Sequence, residues 1–172
     1  MMVLDRLARL TDGLIALSAF IGTAGLIFVT GVIVADVVGR NMGLPLYGAQ
    51  DLVTMTMVLI VFGGMALCDR TGGHIAVDIL QPWFSDGLNR AIDVVAALLG
   101  AAIFAMIALA VWRSAALSQM LNLSTNLLRL PIAWFQYALV GLSLVSALAL
   151  TLRGVITLLH GAPPAPWPGP EE

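Results

Sequence analysis

The chain has 172 residues, of which 60% are hydrophobic and 10% are charged, and its mean hydropathy is +0.99. A soluble domain is about 45–50% apolar and about 25% charged, and a chain this short cannot bury so much apolar surface in its own core. The composition therefore argues against a soluble enzyme and favours lipid as the solvent. The net charge of −2 offers no basic field for nucleic acid, and one cysteine cannot form an internal disulfide.

Charged residues divide the sequence into four apolar blocks, at 13–35, 52–68, 94–112 and 130–152. A helix that crosses the hydrocarbon core of a bilayer needs about 17–25 residues, and each block has that length. None of the blocks alternates apolar and polar residues as the strands of a membrane barrel do. We therefore predict an all-α, polytopic integral membrane protein with four transmembrane helices and short interfacial helices. The predicted spans are close to 13–38, 50–69, 91–113 and 130–153.

The two ends of the chain differ from this membrane domain, which we place at 13–160. In residues 1–12, leucines and a valine recur at helical spacing between charged residues. This pattern is typical of an amphipathic helix that lies in the membrane interface, but it also fits an early start of the first span. Residues 161–172 contain five prolines, which predicts a disordered tail.

The arginines in short loops predict the orientation of the chain. Five of them belong to the side that holds both termini and the second loop, and three belong to the side of the first and third loops. Because cytoplasmic loops carry the excess of positive charge, we expect both termini in the cytoplasm.

The centres of the predicted spans contain no charged residue, although such residues usually mark ion or proton pathways. Small residues four positions apart, such as Ser18 with Gly22 and Gly31 with Ala35, allow helices to approach closely. The sequence also has no pair of histidines at membrane depth for haem, no nucleophile–base pair and no cluster of metal ligands. We predict no enzymatic activity, no cofactor and no metal site.

The charged residues near the first loop have two interpretations. Asp36 and Arg40 are spaced for an i, i+4 ion pair, and Asp51 opens the second span, where a carboxylate suits the positive end of a helix. Each could serve its own helix end, or it could pair with a partner subunit. Gly63 and Gly64 either weaken the second span or admit a close neighbour.

The second loop combines basic, imidazole and acidic side chains. His74 and Asp78 are four residues apart, so a short helix would put them on one face near Arg70. One histidine and one carboxylate do not fill the coordination shell of a metal, so a local hydrogen-bonded cluster is the simpler interpretation. Trp83 suits the headgroup level of a membrane.

Two stretches of these residues resemble the small membrane subunit of tripartite ATP-independent periplasmic (TRAP) transporters, the DctQ-like family. The first stretch contains Arg40, Tyr47, Asp51, Gly63, Gly64, Arg70, His74, Ile75, Val77, Asp78 and Leu80. The second contains Thr125, Leu128, Pro131, Trp134 and Tyr137. The family often has tryptophan and paired glutamates where this chain has 48–51, and only Asp51 keeps the acidic character.

The resemblance implies a small permease subunit in the bacterial inner membrane. Such a subunit is a fixed scaffold for a large, sodium-coupled transport subunit, and a periplasmic binding protein delivers an organic acid or an acidic sugar. The expected partners are these two proteins and membrane lipid. Candidate subunit-interface or structural residues are Asp36, Arg40, Tyr47, Asp51, Gly63, Gly64, Arg70, His74, Asp78, Trp83 and Trp134. Two alternatives stay open, which are a membrane anchor subunit of another multi-subunit complex and a transporter that works alone as a homo-oligomer.

Overall fold

Four long α-helices make up the protein in its computed structural model, which describes the backbone of residues 2–71 and 85–160 and the side chains of 9–68, 85 and 87–159. The helices are α1 (Met2–Asn41), α2 (Ala49–Thr71), α3 (Asp86–Met120) and α4 (Ile132–His160). Each helix contains a segment whose length and apolar composition suffice to cross a bilayer. The predicted all-α architecture with four membrane helices is therefore confirmed.

All four helices are longer than the predicted spans, and the excess is largest for α1 and α3. Helix α1 has 40 residues and α3 has 35. At about 1.5 Å per residue they are about 60 Å and about 52 Å long, whereas the hydrocarbon core is about 30 Å thick. Helix α1 continues without a break from Met2 into the first span, so the 1–12 segment belongs to the same helix. Its position in the membrane interface and the exact limits of the spans stay predictions, and the predicted tail at 161–172 lies outside the described residues.

The helices form two antiparallel pairs, with α1 against α2 and α3 against α4. The pairs meet mainly through α2 and α4, and α1 also contacts α4. Helix α4 is the most enclosed of the four helices. In its most apolar 18-residue segment 39% is buried, compared with 22% in the corresponding segment of each other helix. A core cluster of Ala101, Phe104 and Leu150 joins α3 to α4, with Phe62 of α2 packed against it.

Helix α1 buries only one narrow stripe of side chains. The buried positions are separated by three, four or seven residues and are Thr11, Ile15, Ser18, Gly22, Val29, Val32 and Asp36. This heptad spacing is that of a coiled-coil seam. The opposite side is apolar and open, and Phe20 and Ile27 are both 70% exposed. Helix α3 also has its buried residues at heptad spacing, and they are Val94, Ala97, Ala101, Phe104, Ala108, Ala115 and Ser118.

Glycines bring the backbones of α1 and α2 into contact. A Cβ atom added to Gly63 would lie 2.7 Å from the Ser18 carbonyl oxygen and 2.8 Å from the Gly22 nitrogen. Around the adjacent Gly64 there is open space instead. The close neighbour for which the glycine pair leaves room is therefore α1, and it occupies the place where a Gly63 side chain would begin.

The start of α3 holds the end of α4. Arg90 donates its Nε–H to the Thr157 carbonyl oxygen at 3.0 Å, and a terminal N–H of the same guanidinium donates to the Leu158 carbonyl oxygen. These carbonyls belong to the last turn of α4, where backbone acceptors lack partners within the helix and the helix dipole favours a cation.

Candidate functional site

Two loops meet at one end of the bundle, which we call the paired-loop end. They are residues 42–48, between α1 and α2, and residues 121–131, between α3 and α4. The Asp51 carboxylate accepts the backbone N–H groups of Leu127 and Leu128, each at 2.8 Å. The Tyr47 hydroxyl donates to the Leu127 carbonyl oxygen at 3.2 Å. The Leu127 residue is thus held at both its N–H and its C=O by the segment that opens α2.

Asp51 is well placed for this contact because it lies in the first turn of α2 and is only 8% exposed. The buried Thr125 of the same loop lies near this carboxylate. Gly48 has φ +79°, and a Cβ there would collide with the Leu128 side chain, so glycine suits both the backbone conformation and the contact between the loops. The two loops therefore interlock through one acid and one glycine.

Asp36 closes the first loop in a similar way. Its Oδ2 forms the predicted ion pair with Arg40, at 2.8 Å. Its Oδ1 accepts the backbone N–H of Leu46 at 3.1 Å, a contact that spacing alone did not predict. Asp36 is 9% exposed. A nearly buried carboxylate thus fixes the chain as it turns from α1 toward α2.

The 121–131 loop is compact because its two ends bond to each other. Thr125 donates its N–H to the Leu130 carbonyl, and its hydroxyl accepts the Leu130 N–H, both at 3.0 Å. Ser124 forms an antiparallel bridge with Pro131. The residues Asn122 and Arg129 have φ values of 48° and 53°, so both occupy the left-handed region as the loop turns.

Aromatic side chains lie beside this loop. The rings of Trp112 and Tyr137 meet edge to face with their centroids 5.4 Å apart, and the Tyr137 hydroxyl donates to Gln119 Oε1 at 3.2 Å. Tyr47 is 71% exposed and Trp134 is 72% exposed. Exposed tryptophan and tyrosine are typical of the interface between a membrane and water, so this end of the bundle lies near the headgroups.

Five of the predicted site residues lie at the paired-loop end: Asp36, Arg40, Tyr47, Asp51 and Trp134. The two stretches that carry the family resemblance therefore meet here, the first through Tyr47 and Asp51 and the second through Thr125 and Leu128. Gly63 lies at the crossing of α1 and α2, and Gly64 is its open neighbour. The side chain of Arg70 and the residues His74, Asp78 and Trp83 lie outside the described part of the chain. For all of these residues, a role in binding another subunit stays a prediction.

Sequence reasoning missed the backbone partners of Asp51, which are Leu127 and Leu128. Their amides are 76 and 77 residues away along the chain, so no local spacing could reveal them. The one available signal was that both stretches of the resemblance flank loops on the same side of the membrane. The two buried carboxylates of this site, Asp36 and Asp51, accept backbone N–H groups, and Asp36 also pairs with Arg40. The site therefore holds segments of its own backbone in position.

Comparison with protein families identifies the chain. Residues 29–161 match the family model described as "Tripartite ATP-independent periplasmic transporters, DctQ component". The match runs from the middle of α1 to the end of α4 and includes both loops of the site. Comparisons with curated proteins and with solved structures found no match. Because the family model covers well over half of the chain, this protein belongs to the DctQ component family of TRAP transporters, as its motifs predicted.

Proposed function

We propose that this small permease subunit is the fixed, non-catalytic scaffold of its TRAP transporter, and that it holds the large sodium-coupled transport subunit in the bacterial inner membrane. Family membership makes the chain a transporter component. It also disfavours our alternative, an anchor subunit for a different kind of complex. The finer roles are inferred from the surfaces of the four helices.

The observation that carries the proposal is the open apolar side of α1. Along one line of this helix, at heptad spacing, the exposed residues are Leu17, Ile21, Ala24, Phe28, Gly31, Ala35 and Val38. Ala24, Gly31 and Ala35 are small, and a Cβ added to Gly31 would meet nothing within 4 Å. Small residues let a second membrane helix approach the backbone closely, whereas lipid tails need no such groove. This stripe therefore suits a helix of the large subunit.

A matched pair of glycines tests the proposal. Gly31 on α1 and Gly141 on α4 are both exposed helical glycines with open space around them. We expect Gly31→Leu to abolish most copurification with the coexpressed large subunit in mild detergent, because leucine fills the groove. Gly141→Leu adds the same side chain elsewhere and should leave copurification as in the wild type. Leucine also favours the helix in both variants, so neither should unfold the chain.

Two outcomes would contradict the scaffold. One is a wild-type chain that purifies in mild detergent without the large subunit, although the large subunit is coexpressed. The other is equal copurification of the Gly31→Leu and Gly141→Leu variants with the large subunit, which would remove α1 as the binding surface.

We infer that substrate and sodium are carried by the partners and not by this chain. The support is that charged side chains lie toward the ends of the four apolar segments, with hydroxyl groups as the polar groups of their central parts. Reconstitution of the large subunit, the binding protein and this chain in liposomes should give sodium-driven uptake of an organic acid or acidic sugar. Sodium-driven uptake by this chain alone would refute the inference.

We also propose that the paired-loop end faces the periplasm, where the exposed Tyr47 and Trp134 can meet the binding protein. Arg70, His74, Asp78 and Trp83 would then lie on the cytoplasmic side, as candidates for contacts with the large subunit. The arginine distribution supports this orientation.

A further inference from the structure

A cleft of about 290 Å³ opens at the paired-loop end, between the last turn of α3 and the first turn of α4. Ser118 and Gln119 of α3, Asn122, Ser124 and Arg129 of the loop, and Trp134 of α4 contribute to its lining. The Asp51 contacts described above involve other residues of the same loop. The cleft is therefore a separate feature, and neither the family assignment nor the scaffold role explains it.

The lining of the cleft is rich in hydrogen-bond donors. Ser118 is 5% exposed and contributes to the lining of the cleft. Arg129 has no carboxylate within ion-pair distance among the described side chains. None of the described residues that line the cleft is acidic. A serine in the lining and a guanidinium without an ion-pair partner, in a cleft without acidic residues, together suit an anion with several oxygen acceptors.

Apolar side chains also contribute to the lining: Leu123 is 45% exposed and Trp134 is 72% exposed. Met120 and Leu121, which are 81% and 60% exposed, are sequence neighbours of lining residues. The Trp112–Tyr137 pair lies one to two turns farther along the same two helices. An anion site that has apolar side chains and a tryptophan beside it, at the depth where aromatic residues meet headgroups, suits an amphipathic ligand better than a freely dissolved ion.

We propose that this cleft binds the phosphate of an anionic phospholipid from the leaflet at the paired-loop end. The guanidinium of Arg129 offers two parallel N–H donors to phosphate oxygens, and the Ser118 hydroxyl offers a third donor. The acyl chains lie against the exposed leucines. A zwitterionic lipid is bound less well, because its ammonium group finds no carboxylate in the lining.

The test uses the purified full-length chain, stripped of lipid, with native mass spectrometry as the readout. Three probes are titrated separately: a short-chain phosphatidylglycerol, the matching phosphatidylcholine, and inorganic phosphate. The variants are Arg129→Gln, Ser118→Ala and the control Arg113→Gln. Arg113 is an exposed arginine of α3 that does not line the cleft, so it reports the effect of surface charge alone. Far-ultraviolet circular dichroism and size-exclusion chromatography verify that each variant is folded.

We expect the wild type to bind phosphatidylglycerol more tightly than phosphatidylcholine and to bind inorganic phosphate weakly. Arg129→Gln should weaken phosphatidylglycerol binding by about tenfold or more, because charge-assisted hydrogen bonds are lost. Ser118→Ala should weaken it by a smaller factor, and Arg113→Gln should change it by less than about twofold.

Three results would overturn the proposal. Equal binding of the two lipids would mean that the site does not select an anionic headgroup. Equal losses in the Arg129→Gln and Arg113→Gln variants would mean that surface charge alone attracts the lipid. Inorganic phosphate binding as tightly as phosphatidylglycerol would identify a site for a soluble anion.

Discussion

The Asp51 carboxylate joins the two halves of the molecule at a single residue. It accepts two backbone N–H groups from the 121–131 loop, at 2.8 Å each. Those amides belong to a segment without regular structure, so the chain itself gives them no helical partners. Both bonds end on Oδ2, and an ionised carboxylate oxygen can accept two N–H groups because it has two lone pairs and a negative charge. The charge of Asp51 therefore serves the fold of this subunit, and its role in binding a partner stays a prediction.

Asp51→Asn should separate these roles, because it keeps the shape and removes the charge. An amide oxygen in the place of Oδ2 is neutral, so both loop N–H groups exchange a charge-assisted hydrogen bond for a weaker one. We expect the thermal unfolding temperature of the detergent-solubilised chain to fall by several degrees. We also expect proteolysis of the 121–131 loop to become faster. Gln50→Ala, which changes the exposed neighbouring residue, should alter neither property. Wild-type stability and proteolysis in Asp51→Asn would mean that the carboxylate does not anchor the loop.

Single residues differ in how far the sequence reveals their contacts. The ion pair of Asp36 with Arg40 was predictable, because a spacing of four on a helix brings two side chains together whatever the rest of the fold does. The bonds from Asp51 to Leu127 and Leu128 were not, because they depend on how two helical pairs dock. The resemblance to a family named the correct segments, yet it could not say that they touch each other.

The pairing of α1 with α2 depends on the close contact of their glycines. Of the two adjacent glycines in α2, a Cβ added to Gly63 would collide with the α1 backbone, whereas a Cβ added to Gly64 would meet nothing within 4 Å. Side chains added at these two positions have the same effect on helix propensity and opposite effects on packing. A comparison of substitutions at these two positions therefore separates the effect of helix propensity on stability from the effect of packing between α1 and α2.

We expect Gly63→Ala to destabilise the chain by about 1–3 kcal/mol, since its Cβ would force the two backbones apart. Gly64→Ala should be neutral or stabilising by up to about 1 kcal/mol, because alanine is the better helix former and meets no neighbour there. Unfolding by titration with a denaturing detergent, followed by circular dichroism, gives both values. The tight crossing is contradicted if both variants are stabilised alike, because propensity alone would then explain the data.

The helices were easy to predict and their packing was not. Charge-bounded apolar blocks identified four spans, since a bilayer imposes a minimum length on every helix that crosses it. The blocks underestimated α1 and α3, because charged residues such as Asp12 and Arg113 end an apolar run without ending a helix. The heptad seam of α1 was also hidden, since residues on its open side are as apolar as those in the seam. In lipid, apolar character no longer separates the inside of a helix bundle from its outside.

The orientation of the whole molecule decides whether the paired-loop end can act in the proposed way. A binding protein in the periplasm can reach Tyr47 and Trp134 only if this end faces outward. The arginine count favours that orientation by five to three in the short loops and at the ends of the chain. If the bundle were inverted, the interlocked loops would lie in the cytoplasm, and the proposed contact with the binding protein would be impossible.

Single cysteines can determine this orientation, because the chain has only one native cysteine, Cys68. In a Cys68→Ser background, Asn126→Cys places a thiol on the exposed 121–131 loop, and Leu159→Cys places one at the opposite end, at a position that is 60% exposed. A membrane-impermeant maleimide added to intact spheroplasts should label the first variant and not the second, and both should react after lysis. Thr23→Cys, within the apolar segment of α1, should resist the reagent in both states. Labelling of Leu159→Cys alone in intact spheroplasts would invert the topology and would rule out contact between the paired-loop end and a periplasmic partner, while the scaffold contact of α1 within the membrane would still stand.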